Sequence, residues 1–215
     1  MTTPLPEPAP RTPCRRLIYL HGFRSSPASF KARMLGQAMV ALGRGADFVC
    51  PQLPASPAAA IDEIMSQIRP DDTDVLVGSS LGGYYARHVA EQCGARAVLL
   101  NPAIKPAIGL ARHLGPQTLF HSDEAFDFRP EYLQALQAFA VERITLPQRY
   151  LLIAATGDEV LDWRDMVEAW PGAQHIVVQG SDHGLSDFAS HIGRVLEFAG
   201  LAMPPPTDPD TSKGD

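Results

Sequence analysis

Six short apolar runs constrain the fold of this chain more than any other feature of its sequence. Each run is short enough for a β-strand and is apolar on successive residues, the pattern of strands buried on both faces of a parallel sheet. The runs are RLIYLH (16–21), ADFVCP (46–51), DVLVGS (74–79), RAVLLN (96–101), RYLLIAA (149–155) and QHIVVQ (174–179). They predict a central sheet of about six mostly parallel strands.

The segments between the runs carry helix signals. Two Ser-Pro pairs, at 26–27 and 56–57, each place an N-cap residue before a proline at the first helical position. Alternation of strands and helices predicts an α/β fold with right-handed crossovers. Further helices are expected at 81–93, closed by Gly94, at 163–170 and at 185–198, ending near Gly200.

Length and composition suggest one domain. The chain has 215 residues, 45% of them hydrophobic, which suits a single core. We expect a disordered Pro-rich leader over 1–15, the folded domain over 16–202 and a disordered tail over 203–215. Residues 102–148 are too long for a plain crossover, and they are predicted to form a lid or a wall of the substrate pocket.

Charge and cysteine content limit the partners. The 18 Lys and Arg against 24 Asp and Glu give a formal net charge of −6, so no basic field is available to hold nucleic acid or an anionic membrane. The three cysteines are widely spaced and form no metal-binding pattern. These features favour a cytoplasmic protein that acts on a small molecule, and they leave its oligomeric state open.

A glycine-serine motif follows the third apolar run. Only one register of VGSSLGG fits G-x-S-x-G: Gly78 and Gly82 flank Ser80, whereas centring on Ser79 would place bulky side chains at the sharp turn. The motif lies between a predicted strand and a predicted helix, as a nucleophile elbow requires. A plain glycine-rich turn with serine N-caps is the alternative, and a phosphate-binding loop is disfavoured because GK[ST] is absent.

A base and an acid are available further along the chain. In hydrolases with this motif the order is Ser, then acid, then His, each after a strand. Asp158 and His183 follow the last two apolar runs in that order. Three other carboxylates compete for the acid's role: Glu159, Asp162, which is also a candidate helix N-cap, and Asp182.

Two backbone N–H groups could hold a developing oxyanion. Leu81 follows the candidate nucleophile at a helix N-terminus. Phe23 lies in the loop after the first strand, where Gly22 permits a tight turn. The same loop could be an ordinary strand-to-helix turn, and we expect His21 to hold it by hydrogen bonds.

Five motifs together resemble a known family: IYLHGFRSSPASFKA, VGSSLGGYYA, LLNPAIKP, TGDEVLD and GSDHGLSDF are similar to the YqiA/YcfP family of small bacterial α/β-hydrolase esterases. The likeness extends from about Leu17 to Gly200. It implies a compact α/β-hydrolase fold, esterase or thioesterase activity, and a triad of Ser80, Asp158 and His183. It also marks NPAIKP (101–106) as a family feature, for which the residues alone suggest no catalytic role.

The sequence therefore predicts a serine hydrolase that cleaves short to medium acyl esters through an acyl-enzyme intermediate, without metal or organic cofactor. An acyl-CoA thioesterase is one alternative, in which Arg24 or Lys105 would contact a CoA phosphate. A binding protein without catalysis on the same fold is another.

Overall fold

The computed structural model describes residues 11–201, and its centre is a parallel sheet of six strands in the order β2-β1-β3-β4-β7-β8. A separate antiparallel hairpin pairs β5 with β6. The strands are β1 (Leu17–Leu20), β2 (Phe48–Val49), β3 (Val75–Ser79), β4 (Arg96–Leu100), β5 (Gly115–Thr118), β6 (Ala125–Phe128), β7 (Tyr150–Ala155) and β8 (Gln174–Val178). The six apolar runs are the six strands of the main sheet, so the predicted α/β architecture is confirmed.

Burial on both faces of the sheet explains why the runs are apolar on successive residues. Alternate residues of a strand point to opposite faces. In β1, Ile18 and Leu20 pack into the hydrophobic cluster on one face, whereas Leu17 and Tyr19 pack into the cluster on the other. All four are fully buried.

Helices cover both faces of the sheet. They are α1 (Phe30–Ala41), α2 (Pro57–Glu63), α3 (Leu81–Cys93), α4 (Pro106–Leu110), α5 (Pro130–Ala138), α6 (Trp163–Ala169) and α7 (Ile192–Phe198). Helix α3 has the predicted bounds, and Gly94 closes it in the left-handed region at φ 80°. Two predicted N-caps are also confirmed: Ser56 accepts the N–H of Ala59, and Asp162 accepts the N–H of Arg164.

Two helices begin later than the sequence predicts. Helix α1 begins at Phe30, not at Pro27, because the Ser26 hydroxyl accepts the N–H of Ala28 in a local turn. The last helix begins at Ile192, not at Leu185. Leu185 has φ 51°, a left-handed conformation that cannot continue a right-handed helix.

The long segment 102–148 contains α4, the β5–β6 hairpin and α5. In α5, Tyr132 and Leu136 are buried. Leu136 also accepts a hydrogen bond from the Tyr84 hydroxyl at 2.5 Å, so α5 is attached to α3. The segment is thus a packed part of the domain.

The predicted disordered tail and most of the leader lie outside the described residues. Cys14, however, is only 1% exposed, and its N–H donates to the carbonyl of Ala199 at 2.9 Å. The folded domain therefore begins before residue 16, and the predicted leader boundary at residue 15 is too late. Over residues 11–201, no helix is both long and apolar enough to cross a membrane.

Candidate active site

Ser80 lies in a strained turn between β3 and α3. Its backbone angles are φ 54° and ψ −117°, outside the conformations that non-glycine residues usually adopt. Flanking glycines make the turn possible: a Cβ on Gly78 would lie 2.3 Å from the Gly82 carbonyl oxygen, and one on Gly82 would lie 1.9 Å from that of Leu20. The close approach of strand and helix expected from the motif is present.

Three side chains from separate loops form a continuous chain of hydrogen bonds. His183 Nε2 lies 3.0 Å from Ser80 Oγ, and His183 Nδ1 lies 2.8 Å from Asp158 Oδ2. The Asp158 side chain is fully buried, whereas that of His183 is 22% exposed. The structure thus brings together, at the carboxyl edge of the sheet, three residues far apart in sequence.

The surroundings of Asp158 fix its carboxylate. Its other oxygen, Oδ1, accepts the backbone N–H groups of Val160 and Leu161, each at 2.8 Å. Both oxygens are therefore engaged, and the one facing His183 is held in place.

The competing carboxylates have other partners. Glu159 accepts the backbone N–H of His183 at 3.0 Å, and Asp162 caps α6. Asp182 accepts the N–H of Ser186 at 2.9 Å. Of the four candidates, Asp158 is the one that contacts the imidazole ring.

Asn101 is a site residue for which the sequence suggests no role. It is fully buried at the end of β4, and its Nδ2 donates to the carbonyls of Asp182 and His183 at 3.0 and 3.1 Å. Its Oδ1 accepts the N–H of Ala155 at the end of β7, at 2.8 Å. Asn101 therefore positions the loop that carries His183. The signal in the sequence is an asparagine directly after a buried strand, inside a family motif.

The next residues of NPAIKP contact the serine turn. The N–H of Ala103 donates to the carbonyl of Ser80 at 3.0 Å. Pro102 packs so closely on α3 that a Cβ on Gly83 would lie 2.7 Å from it. The motif thus supports both the serine turn and the histidine loop.

The candidate oxyanion donors lie on either side of Ser80. Leu81 is the first residue of α3, and Phe23 is in the loop after β1; both line the same cavity as Ser80. Neither backbone N–H has an acceptor within the described part of the chain. A Cβ on Gly22 would lie 3.3 Å from Ser80 Cβ, so glycine lets this loop approach the serine.

His21 is buried and holds the same loop. Its Nδ1 lies 3.0 Å from the Gly22 carbonyl, and its Nε2 lies 3.0 Å from the Leu53 N–H. The ring can satisfy both contacts as the neutral tautomer with the proton on Nδ1. Burial lowers the pKa of His21, which favours this neutral form.

A cavity of about 710 Å³ opens beside Ser80 and His183. Its volume falls in the range of small-molecule sites. Segment 102–148 supplies part of the wall, and the tip of the hairpin is attached to the loop after β1. There the Phe120 N–H donates to the Arg24 carbonyl at 2.8 Å, and Arg24 Nε donates to the Thr118 carbonyl at 2.6 Å.

Solved structures define the class of this fold. Alpha/beta hydrolase domain-containing protein 10 from mouse is 15% identical, with a TM-score of 0.63 over 84% of this chain and 89% of the mouse chain. The esterase domain of a Rhodothermus marinus protein is 20% identical, with a TM-score of 0.58 over 88% of each chain. The fold is that of the α/β hydrolases.

The chain belongs to the Uncharacterised protein family (UPF0227), whose model matches residues 16–200. A relative in that family is UPF0227 protein YcfP of Salmonella arizonae, which is 26% identical over 191 residues. That alignment covers 86% of this chain and 99% of the relative. The resemblance to the YqiA/YcfP family is confirmed.

Proposed function

We propose that the protein is a serine hydrolase that cleaves carboxylic esters of short to medium acyl groups through an acyl-enzyme intermediate. The observation that carries the proposal is the hydrogen-bonded series Asp158–His183–Ser80. The two N–H groups beside the serine support it, and so does the fold shared with an esterase domain. The substrate is a small molecule that enters the cavity beside Ser80.

In the proposed reaction, Ser80 Oγ attacks the ester carbonyl carbon while His183 Nε2 takes the hydroxyl proton. The N–H groups of Phe23 and Leu81 stabilise the oxyanion, and the α3 dipole assists. When the intermediate collapses, the C–O bond to the alcohol breaks and His183 returns the proton to the departing alcohol. Water then attacks the acyl carbonyl carbon while His183 Nε2 takes a proton from it. The bond to Ser80 Oγ breaks, His183 returns the proton to Ser80, and the acid is released.

Asp158 keeps the imidazole in the required orientation and stabilises its protonated form. Its carboxylate can do this because two backbone N–H groups hold it in place. These steps require no metal and no organic cofactor.

The two adjacent serines should respond differently to substitution. Ser80→Ala should lower kcat for 4-nitrophenyl butyrate by about 10⁴-fold or more, because it removes the nucleophile. The variant should also lose covalent labelling by a fluorophosphonate. The release of 4-nitrophenol measures the loss of turnover, and gel fluorescence of the labelled protein measures the loss of labelling.

Ser79→Ala is the matched control, since it removes a neighbouring hydroxyl and leaves the nucleophile in place. It should still be labelled by the fluorophosphonate. Circular dichroism establishes that both variants are folded. Full turnover in folded Ser80→Ala would refute the proposal.

A further inference from the structure

A buried lysine lies close to the proposed catalytic residues and has no part in the reaction above. Lys31 is in the first turn of α1, on the face whose other buried residues, Ala32, Leu35 and Met39, pack against the sheet. It is only 7% exposed. Because a buried ammonium group is costly unless it is paired, its position needs a partner.

The described residues satisfy this ammonium group only in part. Lys31 Nζ donates to the carbonyl of Gly184 at 2.5 Å, and it lies 5.3 Å from the centre of the Phe30 ring. Over residues 11–201 it forms no salt bridge, and Asp182 and Asp158 act on it only through space. An ammonium group has three donors, so two remain for a ligand.

Two hydroxyl groups in the same cavity are also unsatisfied. Tyr19 and Ser29 line the cavity with Lys31, and both side-chain oxygens are buried without a hydrogen-bond partner in the described part of the chain. Burial raises the pKa of Tyr19, and the nearby hydroxyls of Ser79 and Ser29 oppose this rise. Neither hydroxyl makes a hydrogen bond of standard geometry with the Tyr19 oxygen. Buried polar groups without partners are rare and indicate a ligand or water.

The charge of the cavity wall has the opposite sign to that of the chain. Its cationic residues are Arg24, Lys31, Lys105 and Arg112, and no Asp or Glu is among the described residues that line it. The whole chain has 24 acidic and 18 basic residues. Lys105 and Arg112 are exposed and could simply be solvated, but Lys31 cannot be, because it is buried.

We propose that Lys31, with the hydroxyls of Tyr19 and Ser29, forms a subsite for an anionic group of the substrate, a carboxylate or a phosphate. The inference rests on the proposed function, since Gly184 adjoins His183, and an anion bound by Lys31 would lie near the reacting ester. Burial lowers the pKa of Lys31 to about 8, so the ammonium is mostly charged at neutral pH.

Matched esters test the subsite. Mono-4-nitrophenyl glutarate carries an anion on the acyl side, and 4-nitrophenyl pentanoate is its neutral counterpart. Likewise, 3-carboxyphenyl pentanoate carries the anion on the alcohol side, with 3-carbamoylphenyl pentanoate as its counterpart. In one of the two pairs the wild type should prefer the anionic ester in kcat/KM by about 10-fold to 100-fold, the effect of one charge-assisted hydrogen bond. The pair that shows the preference identifies the side.

Lys31→Met should abolish this preference. The ratio of kcat/KM within a pair is the readout, because a displaced His183 would slow both esters equally. Arg33→Met is the matched control: it removes the same charge from the same helix, but Arg33 is exposed and lies outside the cavity wall. It should keep the wild-type ratio.

Binding of glutarate gives a readout independent of turnover. In isothermal titration calorimetry, the Kd of Lys31→Met for glutarate should be at least about 10-fold higher than that of wild type or of Arg33→Met. A wild type that hydrolyses neutral esters but shows neither anionic preference nor glutarate binding would overturn the subsite and leave the proposed function intact. Equal slowing of both esters in Lys31→Met, with binding unchanged, would also overturn it. A wild type that binds glutarate but hydrolyses none of the esters would support the subsite and refute the esterase.

Discussion

At the scale of single residues, the histidine loop depends on side chains that take no part in the proposed chemistry. His183 is held through its backbone carbonyl by Asn101 and through its backbone N–H by Glu159. The next residue, Gly184, is held by Lys31. The imidazole ring of His183 therefore receives its position from contacts outside the proposed triad.

Asn101→Ala tests this support. It removes three hydrogen bonds and leaves the His183 carbonyl without a donor and the buried Ala155 N–H without an acceptor, so we expect the free energy of unfolding to fall by about 2–4 kcal/mol. Urea denaturation measures the loss. Because the loop also loses its anchor, kcat should fall more than KM rises for 4-nitrophenyl butyrate.

Asn101→Asp is a second variant for this test, because a carboxylate has the size of the amide but cannot donate to the two carbonyls. Its kcat should fall, as that of Asn101→Ala does. Wild-type kcat in both folded variants would show that the loop keeps its position without the amide.

At the scale of elements, the turn from β3 into α3 brings two backbones into contact. A Cβ on Gly82 would lie 1.9 Å from the carbonyl oxygen of Leu20, which belongs to the neighbouring strand β1. Leu20 is paired with Gly78 of β3, so this oxygen belongs to the sheet backbone and not to the end of a flexible side chain. Glycine at this position is therefore a requirement of packing.

Gly82→Ala should lower the free energy of unfolding by about 3 kcal/mol or more, because the new methyl group overlaps backbone atoms. Chemical denaturation gives the value. Gly193→Ala is the control, because that glycine is exposed on α7 and a methyl group there would have no neighbour within 4 Å. This change should leave the free energy of unfolding unchanged or raise it by at most about 1 kcal/mol. Equal stability of Gly82→Ala and wild type would contradict the packing argument.

Elements with strong local signals can be predicted from the sequence, and those decided by distant contacts cannot. Helix α3 has a glycine at its end and an elbow at its start, and its predicted bounds are correct. The predicted start of α1 is wrong because Ser26 forms a local turn, and its hydroxyl also lies 3.1 Å from Nδ1 of His121 on the distant hairpin. The role of Asn101 depends on carbonyls about eighty residues away, so the sequence does not reveal it either.

At the scale of the whole molecule, the two edges of the sheet differ in character. The carboxyl edge carries the candidate site, and a cluster of charged residues around one buried carboxylate lies at the other edge. There the side chain of Asp74, just before β3, is fully buried and accepts hydrogen bonds from Arg15 and Arg16, which precede β1. The cluster ties together the starts of two neighbouring strands.

This cluster should make the free energy of unfolding depend on pH in the acidic range. Burial alone would raise the pKa of Asp74, but the hydrogen bonds from Arg16 and Arg15 outweigh it, and the net pKa lies below the ordinary value of 3.8. A carboxyl group whose pKa is lower in the folded state than in the unfolded state stabilises the fold when the pH lies above the pKa of the unfolded state. That stabilisation is lost as the pH falls through the pKa of the folded state.

Asp74→Asn should therefore lower the free energy of unfolding by about 2 kcal/mol at about pH 7, and the difference from wild type should shrink towards about pH 2.5. Denaturation curves across this range measure it. Asp123→Asn, at an exposed position on the hairpin, should match wild type throughout. A difference for Asp74→Asn that does not change with pH would contradict this account.

The strained backbone at Ser80 has a consequence for how the protein responds to selection. Among the described residues, six non-glycine positions have positive φ, and five of them lie in loops beside the site: Arg24, Ser80, Asn101, Ser181 and Leu185. Each costs on the order of 1 kcal/mol that glycine would not. At Asn101 and Leu185 the contacts of buried side chains offset this cost, whereas Ser80 carries only a hydroxyl group. In a mutant library screened for heat resistance alone, we therefore expect glycine to replace Ser80, with loss of the proposed hydrolysis. A thermostable biocatalyst made from this chain would have to be selected for turnover at the same time.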